Sequence, residues 1–151
     1  MTTTTRRKPQ TLPTATTVLD TLIIGAGFAG LGSAIRLKQS GISHIAILER
    51  GTAVGGTWRD NQYPGAACDI PSNLYSFSFA QNPGWTRGYS GSREILEYIK
   101  GLARDHDLLP LIKFEHNVEA LRFDGGDGVW TVTLTGREPI KARSVVMAQG
   151  P

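Results

Sequence analysis

The chain has 151 residues, of which 40% are hydrophobic and 19% are charged, and these proportions are typical of one globular domain. Its net charge of +3 comes entirely from Arg6, Arg7 and Lys8, so composition does not support nucleic-acid binding, which needs cations clustered on a folded face. The single cysteine, Cys68, excludes a disulfide framework and a cysteine-rich metal site, and it favours a cytoplasmic location.

Residues 1–17 form a threonine-rich segment that contains basic residues but no apolar stretch after them. This pattern is not that of a secretory signal, and we expect a flexible tail. A transit peptide is the less favoured alternative, because the segment lacks an amphipathic pattern. The longest uncharged apolar run, residues 22–35, is too short and too rich in glycine to span a bilayer, so no membrane span is expected.

Residues 18–50 have the pattern of a strand, a glycine-rich turn, a helix and a second strand. The apolar run over 18–24 predicts a strand that is buried on both faces of a parallel sheet. Apolar residues at helical spacing then predict a helix over about 26–40, with Gly41 as its stop. Residues 44–48 predict the second strand.

Residues 51–91 are rich in glycine, proline, asparagine and aromatic residues and show no sustained period. They predict a long ordered loop, and loops of this length are usually functional. The loop is followed by a predicted helix over 92–105, with Ser92 as its N-cap and Glu94 favoured by the helix dipole in the first turn.

The last third of the chain predicts strands. Residues 113–124 and 129–135 are joined by a glycine-rich turn and predict an antiparallel hairpin, and residues 144–148 predict a final strand. The predicted fold class is α/β, a partial Rossmann-like domain. It has three parallel strands, flanking helices and an antiparallel β-hairpin inserted before the last strand.

The turn after the first strand reads Gly-Ala-Gly-Phe-Ala-Gly, a pattern that is weak evidence alone. Here it follows a predicted strand, opens a helix and has Glu49 at the end of the next strand. Gly25 permits the tight turn, Gly27 lets a pyrophosphate approach the backbone, and Gly30 lets the helix pack close to the sheet. Glu49 can accept hydrogen bonds from ribose hydroxyls. These residues, with Ala29, predict a dinucleotide site; the alternative is that the glycines only shape a turn and Glu49 faces solvent.

Residues 55–69 distinguish FAD from NAD, which the glycine motif does not. They read GGTWRDNQYPGAACD and resemble the N-terminal fingerprint of type I Baeyer–Villiger monooxygenases: small residue, Gly, any, Trp, four of any kind, aromatic, Pro, Gly, three of any kind, Asp. Every fixed position is met, and the likeness continues through residues 70–79 and 82–85. The chain therefore resembles the N-terminal FAD-binding part of this family, the class B flavin-containing monooxygenases.

The resemblance implies an enzyme that holds FAD, takes hydride from NADPH and uses O2, through a flavin peroxide, to convert a ketone into an ester or lactone. It implies a catalytic role for Asp69, since a carboxylate beside the flavin can orient a cation that stabilises the peroxide anion. The alternatives are that Asp69 caps a turn before Pro71 and that Trp58 is simple core packing. The resemblance implies FAD contacts from Gly56, Thr57, Trp58, Arg59, Asp60, Asp69, Tyr75 and Val118, and nicotinamide contacts from Ala67, Cys68 and Asp69.

The family's second fingerprint, Phe-x-Gly-x-x-x-His-x-x-x-Trp, and a second glycine motif for NADPH do not occur in these residues. We therefore expect residues 18–151 to be the N-terminal portion of an FAD-binding domain that is truncated before the NADPH domain. The three histidines are scattered and predict no metal site. The alternatives are an N- or S-oxygenating flavin monooxygenase and, in another class, a non-catalytic nucleotide-binding module or inactive truncated product.

Overall fold

The computed structural model describes residues 17–150, so the predicted tail lies outside the described residues except for Thr17. Within this part of the chain the strands and helices follow one another as β1 (Val18–Ile24), α1 (Phe28–Gln39), β2 (Ile45–Leu48), α2 (Thr57–Asp60), α3 (Ser92–Asp105), β3 (Ile112–Lys113), β4 (Val118–Asp124), β5 (Val129–Leu134) and β6 (Arg137–Met147). Two short 3-10 helices occupy Ser72–Leu74 and Leu109–Leu111. The strands form one mixed sheet in the order β3-β2-β1-β6-β5-β4, and the predicted α/β class is confirmed.

One half of the sheet is parallel and contains four strands, one more than predicted. β1 lies between β2 and β6, and β2 pairs with the two-residue strand β3. The prediction of a single strand over 113–124 is wrong because the backbone turns at Glu115, which has a φ of +58°. All four residues of β2 are buried, as expected for a strand covered on both faces.

The other half is an antiparallel meander of β4, β5 and β6. The predicted hairpin is present, with Phe123 opposite Trp130. The final strand is longer than predicted and lies between β5 and β1: Ile140 pairs with Val132 of β5 in the antiparallel sense, Val145 pairs with Leu22 of β1 in the parallel sense, and Lys141 and Ala142 pair with both strands.

The two faces of the sheet have different covers. Helices α1 and α3 pack on one face, where Ile23 and Ile47 join the buried side chains of both helices. On the opposite face Leu22 and Leu48 pack with buried residues of β5 and β6. Within residues 17–150, no helix has the length and apolar character needed to cross a membrane.

Helix α3 ends at Asp105, as predicted, but the predicted cap at its start is wrong. Gly91 occupies the N-cap position without a side-chain hydrogen bond, and Ser92 is already helical. The carboxylate of Glu94 instead accepts hydrogen bonds from the backbone amide and hydroxyl of Thr86, at 2.8 and 3.2 Å. This contact ties the end of the long loop to the first turn of α3.

Candidate functional site

A groove of about 960 Å³ opens at the carboxyl ends of β1 and β2. Its walls are the turn before α1, the end of β2, helix α2, the start of β4 and the end of β6. Ligands of open α/β sheets bind at this edge, where the strand order reverses around β1. Of the predicted site residues, the groove is lined by Gly25, Gly27, Ala29, Glu49, Gly56, Thr57, Trp58, Arg59, Asp60, Tyr75 and Val118.

Two glycines around the amino end of α1 have no room for a side chain. Gly25 has a φ of +103°, and a Cβ there would lie 2.5 Å from the carbonyl oxygen of Ala148. A Cβ on Gly30 would overlap the carbonyl oxygen of Gly25. At Gly27 the nearest atom to a Cβ would be the Cα of Gly56, at an ordinary 3.6 Å. Gly25 and Gly30 are thus demanded by the fold, whereas the missing side chain of Gly27 leaves space in the groove.

The amino end of α1 faces this space without a side-chain cap. Gly27 is the N-cap residue and offers no side-chain acceptor to the first-turn amides. The helix has 12 residues, so its dipole and its unpaired N–H groups together favour an anion at this end. The arrangement suits a diphosphate.

Glu49 is buried beside the turn, with only 4% of its surface exposed. Its Oε2 accepts a hydrogen bond from the amide of Ala26 at 2.9 Å. Its Oε1 accepts one from the amide of Gly51 at 2.7 Å and another from Nη1 of Arg59 at 3.0 Å. The interpretation of Glu49 as a solvent-facing residue is therefore wrong, because the carboxylate is held in one orientation at the groove wall.

Arg59 joins this carboxylate to helix α2. Besides Glu49, its guanidinium donates to the carbonyl oxygen of Ala53 and, through Nε and Nη2, to both carboxylate oxygens of Asp60 at 2.7 and 3.0 Å. The hydrogen bond to Asp60 raises the pKa of Arg59, desolvation opposes this, and Glu49 adds to the rise. The same hydrogen bond lowers the pKa of Asp60.

Trp58 and Tyr75 close the far end of the groove. The indole Nε1 of Trp58 donates to the Tyr75 hydroxyl at 3.0 Å, and the two rings meet edge to face with centroids 5.5 Å apart. Burial raises the pKa of Tyr75, the hydrogen bond from Trp58 opposes that rise, and the charges of Cys68 and Asp69 add to it. Trp58 also packs on the core beneath, so its packing and groove-lining roles coexist.

Asp69, Ala67 and Cys68 do not line the groove. Asp69 and Ala67 are exposed on the long loop, whereas the Cys68 thiol is buried and donates to the carbonyl oxygen of Ile70 at 3.2 Å. Asp69 lies close enough to Tyr75 for its charge to affect that pKa. The catalytic role of Asp69 and the nicotinamide contacts of this segment stay predictions.

The structure adds His116, to which the sequence assigned no role. This residue is 7% exposed and lines the groove beside Glu49, whose carbonyl oxygen accepts a hydrogen bond from the His116 amide at 2.9 Å. Nδ1 lies 2.7 Å from the carbonyl oxygen of Phe114, which can only accept, so Nδ1 carries a proton. Nε2 is buried and has no partner among the described residues. Its position two residues before Val118 was the only available signal.

Comparisons with known proteins agree with this geometry. The sequence model of the family described as pyridine nucleotide-disulphide oxidoreductase matches residues 22–151. A protein named Baeyer-Villiger monooxygenase from Streptomyces coelicolor is 47% identical over 129 residues, which cover 85% of this chain and 25% of the relative. The chain thus spans about a quarter of the length of this relative.

Solved structures give the same result. A structure described as oxidized steroid monooxygenase bound to NADP superposes with a TM-score of 0.84 at 36% identity, covering 89% of this chain and 26% of the other. One described as OTEMO complex with FAD and NADP has a TM-score of 0.80 at 32% identity, covering 88% and 26%. The resemblance predicted from residues 55–69 is confirmed.

Proposed function

This chain belongs to the pyridine nucleotide-disulphide oxidoreductase family, and on that premise we propose that its groove binds FAD. The protein that carries it is then an FAD- and NADPH-dependent monooxygenase of the Baeyer–Villiger type, which uses O2 to convert a small ketone into an ester or lactone. The observation that carries the proposal is one continuous groove that joins the uncapped amino end of α1, buried Glu49 and the Trp58–Tyr75 pair.

The residues present fit FAD along the whole groove. The diphosphate would lie over Gly27 at the amino end of α1, where no side chain intervenes. The adenosine ribose would meet Glu49, and adenine would extend toward His116 and Val118. The flavin would face helix α2 and Tyr75. Support for FAD as the ligand comes from the structural neighbour that is described as a complex with FAD and NADP.

When bound, FAD supplies the redox chemistry, while the chain binds and orients it. Tyr75 accepts a hydrogen bond from Trp58, which leaves its own hydroxyl proton to donate toward an acceptor in the groove. Asp69, as the proposed catalytic residue, contributes a carboxylate near Tyr75 that can orient a cation close to the reacting atoms. Ala67 and Cys68 stay proposed neighbours of the nicotinamide.

Further parts of the proposal concern the whole protein. Because the relatives are about four times as long as the matched region, residues 18–151 would supply the FAD-binding portion only. Most of the NADPH site and most of the residues that choose the ketone would then lie beyond those in this sequence. We also propose a cytoplasmic location, on the use of a single cysteine.

The test is flavin binding followed by turnover. The complete natural polypeptide that carries this sequence should purify with a flavin absorbance spectrum and release FAD on denaturation. With NADPH, O2 and a panel of ketones it should form esters or lactones, whereas amines or sulfides as better substrates would favour the N- or S-oxygenating alternative. Absence of bound flavin, together with failure to take up added FAD, would overturn the proposal. The 151-residue chain alone is expected to be catalytically silent.

A further inference from the structure

The Glu49 carboxylate has one unused acceptor position. A carboxylate offers about four lone-pair sites, two on each oxygen. Oε1 already accepts from the Gly51 amide and from Arg59, and Oε2 accepts from the Ala26 amide. The remaining position is therefore on Oε2. Since a ribose presents two neighbouring hydroxyls, the carboxylate as arranged can accept only one of them.

The guanidinium that occupies Oε1 is anchored independently of Glu49. Arg59 also donates to the carbonyl oxygen of Ala53 and to both oxygens of Asp60. Its side chain is 17% exposed, so little water is available to replace these partners. These contacts do not involve the Glu49 carboxylate. A sugar that competed with Arg59 for Oε1 would therefore not release the guanidinium.

Gly51 makes room for this guanidinium. A Cβ at Gly51 would lie 2.6 Å from Nη1 and 2.7 Å from Cζ of Arg59, closer than real side chains approach. The φ of Gly51 is not in the left-handed region, so the backbone itself accepts alanine. Alanine at this position would thus displace the guanidinium while the charge of Arg59 is retained.

We propose that Arg59 determines the specificity of the ribose subsite: by holding Oε1, it restricts Glu49 to a single hydroxyl of the adenosine ribose, accepted through Oε2. This inference rests on the proposed binding of FAD. Arg59 acts through Glu49 and is therefore a positioning residue. Once Arg59 is removed, Oε1 regains an acceptor position and both hydroxyls can be bound by the carboxylate.

The experiment uses the apoprotein of the complete natural polypeptide and compares ADP with 2′-deoxy-ADP and 3′-deoxy-ADP. These probes share the adenosine diphosphate half of FAD and each lacks at most one hydroxyl. Their affinities are measured as inhibition of FAD rebinding, which is followed by the flavin fluorescence. The variants are Arg59→Met, Gly51→Ala and Glu49→Gln. Gly125→Ala is the matched control, since a Cβ there meets nothing within 4 Å.

In the wild type and in Gly125→Ala, loss of one hydroxyl should weaken binding by roughly 10- to 100-fold, as for a hydrogen bond to a charged group, and loss of the other by less than about threefold. In Arg59→Met and in Gly51→Ala both deoxy analogues should bind more weakly than ADP by at least about tenfold. In Glu49→Gln, adding Arg59→Met should change neither ratio, because the effect is transmitted through Glu49.

Equal losses from both deoxy analogues in the wild type would overturn the inference, since they would mean that Arg59 yields Oε1 to the sugar. Unchanged ratios in both Arg59→Met and Gly51→Ala would also overturn it. In either case FAD still binds and the proposed function stands. If the wild-type apoprotein does not rebind FAD at all, the proposed function fails and this inference fails with it.

Discussion

The two ends of the groove are built by different means. At the strand end, Gly25 is enclosed by backbone atoms, and the Glu49 carboxylate has three fixed donors, two backbone amides and Arg59, before any ligand is present. At the loop end, no residue of α2 is buried, and Asp69 is exposed. The difference shows that the strand end is preorganised by the fold, whereas the loop end presents side chains whose final surroundings depend on what binds there.

The largest expected effect on stability is at Gly30, which is required for folding, whereas Gly27 is expected to matter mainly for ligand binding. Gly30→Ala should lower the free energy of unfolding by about 3 kcal/mol, because the added Cβ overlaps the carbonyl oxygen of Gly25 and the backbone must move. Gly27→Ala should cost about 1 kcal/mol or less, since its Cβ meets only the Cα of Gly56 at 3.6 Å. Urea denaturation measures both.

Both glycine variants should nevertheless lose FAD, Gly30→Ala through the distorted turn and Gly27→Ala because its methyl group enters the groove. Flavin titration of the Gly27→Ala protein is the decisive measurement. A stable Gly27→Ala protein with unchanged FAD affinity would contradict the view that this glycine leaves space for the ligand.

The next largest effect is expected from substitution of Glu49, and the comparison is with Asp69. Glu49→Gln should destabilise the fold by about 2 kcal/mol, because an amide cannot serve the three donors that the buried carboxylate accepts. Asp69→Asn should stay within about 0.5 kcal/mol of wild type, since Asp69 is exposed. Yet Asp69→Asn should abolish product formation while FAD stays bound.

Thermal unfolding and a product assay on the complete natural polypeptide distinguish these two variants. If Asp69→Asn retained full product formation, its proposed catalytic role would be lost while the FAD site remained.

A smaller effect is expected at the Trp58–Tyr75 pair. Trp58→Phe keeps an aromatic side chain but replaces the indole with a smaller phenyl ring, and loss of the 3.0 Å hydrogen bond alone should cost about 1 kcal/mol. Since that bond opposes the rise caused by burial, its loss should raise the pKa of Tyr75 further. Absorbance titration of the tyrosinate measures this shift, with Tyr75→Phe to identify the signal.

The pH dependence at this pair has a defined sign. The folded-state pKa of Tyr75 is raised above the ordinary 10.0. The protonated tyrosine therefore contributes fully to the free energy of unfolding below pH 10.0, and this contribution is lost as the pH rises through the folded-state pKa. The loss should extend to higher pH in Trp58→Phe. A lowered Tyr75 pKa in this variant would contradict the hydrogen-bond assignment.

The smallest effect is expected at Asp60, whose carboxylate is 46% exposed. Asp60→Asn should cost about 0.5 kcal/mol at neutral pH, as an exposed ion pair does. Arg59 lowers the folded-state pKa of Asp60. The stabilisation from this ion pair is therefore present above the ordinary aspartate pKa of 3.8 and is lost as the pH falls through the lower folded-state pKa. Denaturation curves of the two proteins should therefore converge in acid; a constant difference would indicate another cause.

Local sequence patterns were sufficient to predict the β1–turn–α1–β2 unit, helix α3 and the hairpin. Each depends on periodicity or on glycine at a set position, which are properties of a short segment. The family fingerprint in residues 55–69 added the flavin interpretation. The residues that line most of the groove could therefore be predicted before any contact was known.

Only the tertiary structure decided which distant groups meet. The two residues of β3 are a strand because β2 lies beside them, and β6 extends to Arg137 because β5 pairs with its charged first half. The contact of Arg59 with Glu49 and the burial of Nε2 of His116 likewise depend on how separate segments pack together. Hydrogen bonds and burial between remote segments leave no periodic trace in the sequence, so they follow from packing alone.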